Sequence, residues 1–189
     1  SVFDFFITYN NRPFMLDAHV SRLFNSAAYI NLNNPWTEDE IKKMVLEVIR
    51  SNKSDFEKTI KIILSGGESS DGFTPEGKTK LIILIGEWKG LPKEVHQKGV
   101  CLATHSFKRY LPLAKTTHYT EVLKHHTKLK GAFEILYYDS RQIYECSRSN
   151  IFACMNGRII TPKNHVLPGI TRKVVLEKLA LKPPAKEKD

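Results

Sequence analysis

Three stretches of this 189-residue chain carry residue types that could do chemistry. In Arg109-Tyr110-Leu111-Pro112-Leu113-Ala114-Lys115-Thr116-Thr117-His118-Tyr119, a lysine lies in a polar, basic passage. An apolar run (100–107) precedes it and an expected helix (120–130) follows. A lysine at such a strand-to-helix junction can face inward, and burial lowers an amine's pKa and makes it a nucleophile toward an aldehyde or ketone. The chain has 29 Lys plus Arg, and most such groups are solvated, so Lys115 needs support from elsewhere. In Tyr144-Glu145-Cys146-Ser147-Arg148-Ser149-Asn150-Ile151-Phe152, a carboxylate sits among strand residues ahead of a hydroxyl-rich turn. In Pro168-Gly169-Ile170-Thr171-Arg172, a Gly and a Thr open a helix, where free backbone N–H groups and a hydroxyl suit a phosphate. Arg22 lies beside an apolar helical stripe and offers a partly sheltered cation. These residues supply an amine for an aldehyde, an acid for a ring nitrogen and several groups for a phosphate, which are the requirements of pyridoxal phosphate.

The elements that must position them read as follows. Residues 2–9 are β-rich and end at the turn Asn10-Asn11-Arg12-Pro13, after which 14–16 can return as a short strand. Asp17 is the expected N-cap of a helix whose stripe is Val20, Leu23, Phe24, Ala27 and Ile30. Thr37 and Glu40 form a capping box before a second amphipathic helix with Ile41, Met44, Val45, Val48 and Ile49 on one face. Residues 59–64 and 80–85 read as strands around a polar loop at 65–72 that lacks the pattern of a nucleotide phosphate loop. The stretch Gly86-Glu87-Trp88-Lys89-Gly90-Leu91-Pro92 is the linker candidate. Beyond it come a strand within 100–107, the helix at 120–130, and short strands at 133–138, 142–144, 150–155 and 158–160. Asn156-Gly157 marks a tight hairpin, residues 167–172 begin a last helix running to about 179, and the charged tail at 182–189 reads as loose.

Composition narrows the function classes. Hydrophobic content of 41% is that of a globular protein, and no apolar run approaches the roughly 20 residues of a membrane span. The chain opens without Met and directly on a strand, which suggests an N-terminally incomplete sequence without a signal peptide. Cys101, Cys146 and Cys154 are odd in number and scattered, which fits a reducing compartment, and a cytoplasmic location is expected. No zinc-type spacing occurs; the adjacent His125 and His126 would point in different directions on a helix, and no metal is expected. The net charge of +9 is spread along the chain without a nucleic-acid motif, leaving solvated charge or an anionic small ligand as its reading.

On its motifs, the chain resembles the fold-type IV pyridoxal-phosphate enzymes: branched-chain aminotransferases, D-amino-acid transaminases and aminodeoxychorismate lyases. Asp17-Ala18-His19-Val20-Ser21-Arg22-Leu23-Phe24-Asn25-Ser26-Ala27 is similar to the family's H-x-x-R-L-x-x-S-A, and the three stretches above follow in the family's order. The resemblance implies that Lys115 is the Schiff-base lysine and the proton shuttle, and that Glu145 pairs with the pyridine nitrogen. It also implies that Arg22, Ile170 and Thr171 hold the phosphate, that Tyr119 reaches the ring oxygen, that Ser149 and Asn150 flank the ring, and that Arg172 is structural. Two positions depart from the pattern: Cys146 stands where glycine is usual, which would strain a left-handed backbone, and His118 replaces an amide.

The implied fold is α/β with two domains: residues 1–87 as a small α+β domain, 88–92 as linker, 93–182 as part of a larger domain carrying the lysine, and 183–189 as tail. The cofactor is expected in the cleft between the domains, in a fold shortened at both ends relative to the family and forming a homodimer without nucleic-acid or membrane partners. The implied reaction is amino transfer from an amino acid, branched-chain-like, to a 2-oxo acid. The loop at 66–75 lacks the Arg and His of D-amino-acid transaminases. Alternatives are a lyase of the aminodeoxychorismate type, or a degenerate, non-catalytic domain of the same fold.

Overall fold

The computed structural model describes residues 1–125, 131–180 and 186–188. The chain forms two compact units: Ser1–Gly90 with Ala114–Thr117, and Leu91–Leu113 with His118–Asp189. Lys115, assigned by sequence order to the second domain, therefore packs with the first unit.

In the first unit, β1 (Val2–Tyr9) pairs antiparallel with β3 (Glu57–Ser65), and β3 with β4 (Lys80–Trp88). The two-residue β2 (Arg12–Pro13) edges β1, giving the order β2-β1-β3-β4. Asn10 and Asn11 turn the chain with φ of 51° and 59°, the left-handed pair that a tight hairpin needs. Strand β2 occupies 12–13 rather than the expected 14–16, although Phe14 N–H still bonds the Ile7 carbonyl at 3.0 Å. Helices α1 (Leu16–Tyr29) and α2 (Glu38–Ser51) bury Val20, Leu23, Ile41 and Val45 in one core with Ile60 and Ile62 of β3. Each such side chain contributes about 1.5–3 kcal/mol by leaving water.

The helix starts differ. Thr37 and Glu40 close the expected capping box, Glu40 N–H donating to Thr37 Oγ1 at 3.2 Å and Thr37 N–H to Glu40 Oε2 at 2.7 Å. Helix α1 starts two residues earlier than expected: Met15, left-handed at φ 47°, is its cap, and Asp17 lies inside the first turn. Residues 86–88, read as linker because of their glycine, extend β4 because Gly86, Glu87 and Trp88 pair with Thr59, Lys58 and Glu57. A long register outweighs a local breaker.

A buried ion cluster locks α1 onto β1. Asp4 has no solvent exposure, and Arg22 donates to both its oxygens, Nε to Oδ2 and Nη2 to Oδ1, each at 2.8 Å. His19 Nδ1 lies 2.7 Å from Oδ1. Burial pushes the Asp4 carboxyl up, but its bonds to His19 and Arg22 outweigh that and hold it below the usual carboxylate range.

The second unit opens with α3 (Lys93–Lys98), which sequence patterning missed, and β5 (Leu102–Ser106). Strand β5 pairs parallel with β6 (Glu134–Tyr138), and β6 antiparallel with β7 (Ile143–Cys146). Helix α4 (Thr120–His125) lies between β5 and β6 in sequence; the rest of the helix expected at 120–130, with His126, falls outside the described residues. Strands β8 (Ala153–Met155) and β9 (Arg158–Pro162) form the Asn156-Gly157 hairpin, followed by α5 (Ile170–Ala180). In the tail read as loose, β10 (Lys186–Lys188) pairs parallel with β9, while 181–185 and 189 fall outside the described residues. Among the described residues no helix is long and apolar enough to cross a membrane.

Replacing Asp4 by Asn leaves the Arg22 charge buried without its counter-ion. Urea denaturation of Asp4→Asn is expected to show a loss of about 3–5 kcal/mol, against about 1 kcal/mol for loss of the cap in Thr37→Ala. Because the folded Asp4 titrates below its ordinary value of 3.8, its contribution is present above that pH and disappears as pH falls through the lowered value. Wild type should lose this part of its stability on acidification, and Asp4→Asn should not.

Candidate functional site

In the first unit, the five motif positions of α1 share one face, because i, i+3, i+4, i+7 and i+8 recur at the helical period. His19 and Arg22 reach Asp4, while Leu23 and Ala27 enter the core. Ser26 Oγ, fully buried, accepts the Lys115 backbone N–H at 3.1 Å. On its other side, the Lys115 carbonyl accepts Phe3 N–H at 2.8 Å, and Thr116 bridges Val2 antiparallel. Segment Ala114–Thr117 thus runs along the free edge of β1, and Ala114 is fully buried. Lys115 Nζ stands 4.7 Å from the Phe3 ring centroid, a cation–π distance. The lysine has a fixed backbone and a partly buried side chain.

In the second unit, Glu145 of β7 is 3% exposed and collects donors from three places. Arg109 Nη1 bonds Oε1 at 2.9 Å; Asn150 Nδ2 and the Leu167 N–H bond Oε2 at 3.1 and 3.0 Å. Such convergence orients a carboxylate and suits its ionised form. Asn150 Nδ2 also bonds the Leu167 carbonyl at 3.0 Å. That same amide presses on Gly169, where an added Cβ would stand 1.9 Å from Asn150 Oδ1. Gly169 is thus a close-approach glycine, and its carbonyl accepts the first bond of α5, from Lys173 N–H at 2.9 Å. Ile170 and Thr171 follow in the first turn of α5, where backbone N–H groups have no intrahelical acceptor. Ile170 is buried and the Thr171 side chain is exposed.

The remaining positions are placed as follows. The Ser149 hydroxyl donates to Glu134 at 3.0 Å, and the Arg148 N–H bonds the same carboxylate at 3.1 Å, so Ser149 has a turn-holding partner. Arg172, implied to be structural, donates to Thr161 Oγ1 at 3.3 Å and to the Pro162 carbonyl at 2.9 Å, holding α5 to β9. Burial is the chief reason that the Tyr119 phenol titrates above its usual range, the Arg109 and Arg148 charges opposing it. Tyr119 therefore remains a hydroxyl donor at neutral pH. His118 is exposed. Cys146 is a buried strand residue outside the positive-φ set, so no glycine is required there and the expected strain does not arise. Sequence reading missed Asp4, Arg109 and Glu134. Their partners lie far away in the chain, and the single legible signal was a basic residue opening the lysine stretch.

These features fit pyridoxal phosphate piece by piece: a backbone-fixed lysine in one unit, and in the other an oriented buried carboxylate beside a helix start whose glycine admits close packing. Residues 1–188 match the family described as amino-transferase class IV. A branched-chain-amino-acid aminotransferase of Pseudomonas aeruginosa is 30% identical over 183 residues, 86% of this chain and 57% of that protein. A solved T.th. branched-chain amino acid aminotransferase with pyridoxamine 5'-phosphate is 26% identical at a TM-score of 0.86, covering 98% of this chain and 67% of that one. A fold IV-transaminase from Curtobacterium pusillum has a TM-score of 0.82 at 21% identity over 99% of this chain and 67% of that one, a likeness of fold. The chain spans between 34% and 64% of the length of the curated relatives it was matched to. The family and its pyridoxamine-phosphate-bound relative support pyridoxal phosphate as the cofactor. With its α/β fold and its match over residues 1–188, the chain belongs to the class IV aminotransferases.

Proposed function

We propose that the protein containing this chain is a pyridoxal-phosphate-dependent aminotransferase that moves an amino group from a branched-chain-like amino acid to a 2-oxo acid. The observation that carries the reading is the joining of Glu145 to the start of α5 through Asn150, which puts an oriented carboxylate and a phosphate-type helix terminus in one cluster. The bound cofactor would supply an electron-accepting ring that stabilises negative charge at the substrate's α-carbon.

Each residue then has a task. Lys115 would hold the cofactor through its carbonyl carbon, and its amine would move a proton at the substrate's α-carbon. Glu145, fixed by Arg109, Asn150 and Leu167, keeps a proton at the ring nitrogen. The N–H groups of Ile170 and Thr171, the Thr171 hydroxyl and Arg22 bind the phosphate. Arg22 is pre-oriented for this by its two-point bond to Asp4. Tyr119 donates to the ring oxygen, and Ser149 and Asn150 shape the turn beside the ring.

The branched-chain preference rests on the names of similar proteins and on the loop at 66–75, which carries no Arg or His. That loop is built by Asp71, which accepts from Ser69, Phe73 and Thr74, and by Gly67, where a Cβ would stand 1.9 Å from the Lys78 carbonyl oxygen. A homodimer is part of the same proposal. Its support in the first unit is the outer sheet face, where Phe5, Ile82 and Leu84 stay 41%, 42% and 50% exposed.

Two variants test the site. With pyridoxal phosphate added, wild type should develop the visible band of the lysine-bound cofactor and Lys115→Ala should show free cofactor alone; identical spectra would remove Lys115 from its role. Glu145→Gln should keep the cofactor but lose roughly 100-fold or more in turnover, measured with branched-chain donors against 2-oxoglutarate. Unchanged turnover would take Glu145 out of the mechanism, and pyruvate release from aminodeoxychorismate without amino transfer would favour a lyase.

A further inference from the structure

The second unit carries a side-chain cluster that the proposed chemistry does not use. His105 on β5 and Glu121 and His125 on α4 bring three ligand atoms together, all within 4.8 Å of one another. Glu121 Oε2 lies 3.4 Å from His105 Nε2 and 3.5 Å from His125 Nε2. We propose that His105, Glu121 and His125 form a binding site for a divalent transition cation of the zinc class, with three protein ligands and one exchangeable position.

The distances favour a cation over a plain hydrogen-bonded cluster. A charge-assisted N–H···O bond settles at about 2.7–2.9 Å, and both His–Glu pairs are wider than that. A tetrahedral zinc with bonds of about 2.0–2.1 Å to imidazole nitrogen and carboxylate oxygen sets its ligands about 3.3–3.5 Å apart. The two His–Glu separations fall on that edge length, and the imidazole nitrogens lie within 4.8 Å of each other, near enough to close on one ion with a side-chain adjustment. The ligand types agree too, since two imidazoles and one carboxylate suit zinc and its neighbours rather than magnesium or calcium, which take oxygen.

The fold supports this placement. Glu121 and His125 stand one turn apart on α4, at the i,i+4 spacing that aims two side chains the same way. His105 projects toward them from β5, its ring stacked at 8° on Phe107 and edge-on to Tyr137, contacts that fix its orientation. The two imidazole centroids are 4.2 Å apart. All three side chains are partly buried, with 17–31% of their surface exposed, so water can reach the fourth position. A bound cation would clasp α4 to β5. Sequence spacing hides this set because its third member lies on a strand well before the helix, and because the eye-catching sequence neighbour of His125 is His126, not Glu121.

The test is calorimetric titration of the whole protein, freed of any purification tag, with Zn2+ alone. One strong site per chain is expected, accompanied by a rise in melting temperature. Glu121→Gln keeps the cofactor site and all three cysteines, so it retains every other zinc-binding group; losing a ligand should weaken the strong site by at least the roughly 10–100-fold that losing a supporting partner costs and abolish the thermal shift. If Glu121→Gln does not fold, His125→Gln, at the last described residue of α4, should give the same loss. Wild type without a strong site overturns the proposal, and so does a variant that binds Zn2+ as wild type does, since the ion would then sit elsewhere. Neither result bears on Lys115, whose cofactor band is read separately.

Discussion

The first unit depends on the buried carboxylate of Asp4. A charge without solvent contact is costly unless every lone pair finds a donor, and Asp4 finds them in Arg22, His19 and the Phe5 N–H. The two-point bond does more than neutralise. A planar guanidinium held at Nε and Nη2 has one orientation, and with His19 it keeps that face of α1 turned toward β1. With the helix so turned, Ser26 faces inward and accepts the Lys115 N–H. The ion pair between β1 and α1 thus helps place a lysine 111 residues after Asp4 through Ser26, alongside the bonds of that segment to Val2 and Phe3 of β1. Apolar packing of Leu23 and Ala27 alone would hold the helix without fixing its rotation so tightly.

The second unit repeats this device with two acidic groups on neighbouring strands. Glu134 of β6, 7% exposed, holds the turn after β7 by accepting the Arg148 N–H and the Ser149 hydroxyl. Glu145 of β7 faces another set: Arg109, Asn150 and Leu167. The two carboxylates divide the work. One stiffens the turn, and the other is left as the group around which Asn150 and the approach to α5 are organised. Cys146, next to Glu145, is buried, and burial, aided by the nearby Glu134 charge, pushes its thiol up, so it acts as packing rather than as a reactive group.

Local elements were legible in the sequence because their signals are local. The Thr37–Glu40 box, the stripes of α1 and α2 and the Asn156-Gly157 hairpin each rest on residues within a few positions of one another. Where the linker reading slipped, a long-range contact decided. Gly86 and Trp88 look like a linker until they are matched with Thr59 and Glu57. Asp17 looks like a cap until Met15 takes the left-handed turn into α1. Helix α3 was missed because its six residues, all outside the core, give no apolar period.

The site was legible in its motifs but not in its wiring. Lys115, Glu145 and Thr171 could be named because their residue types suit a phosphorylated aldehyde, whereas Asp4, Arg109 and Glu134 act through partners that no spacing discloses. Gly169 shows the difference best. In the sequence it suggests an open helix start, a place where backbone N–H groups are exposed to an anion. In the fold its missing Cβ is needed for another reason, because the Asn150 amide occupies that space while bonding both Glu145 and Leu167. A side chain at 169 would push Asn150 off the carboxylate, loosening Glu145 at the same time as it crowds the helix start. The acid and the phosphate-type terminus read as two separate motifs in the sequence, yet sterically they are one unit, so a substitution in either changes both.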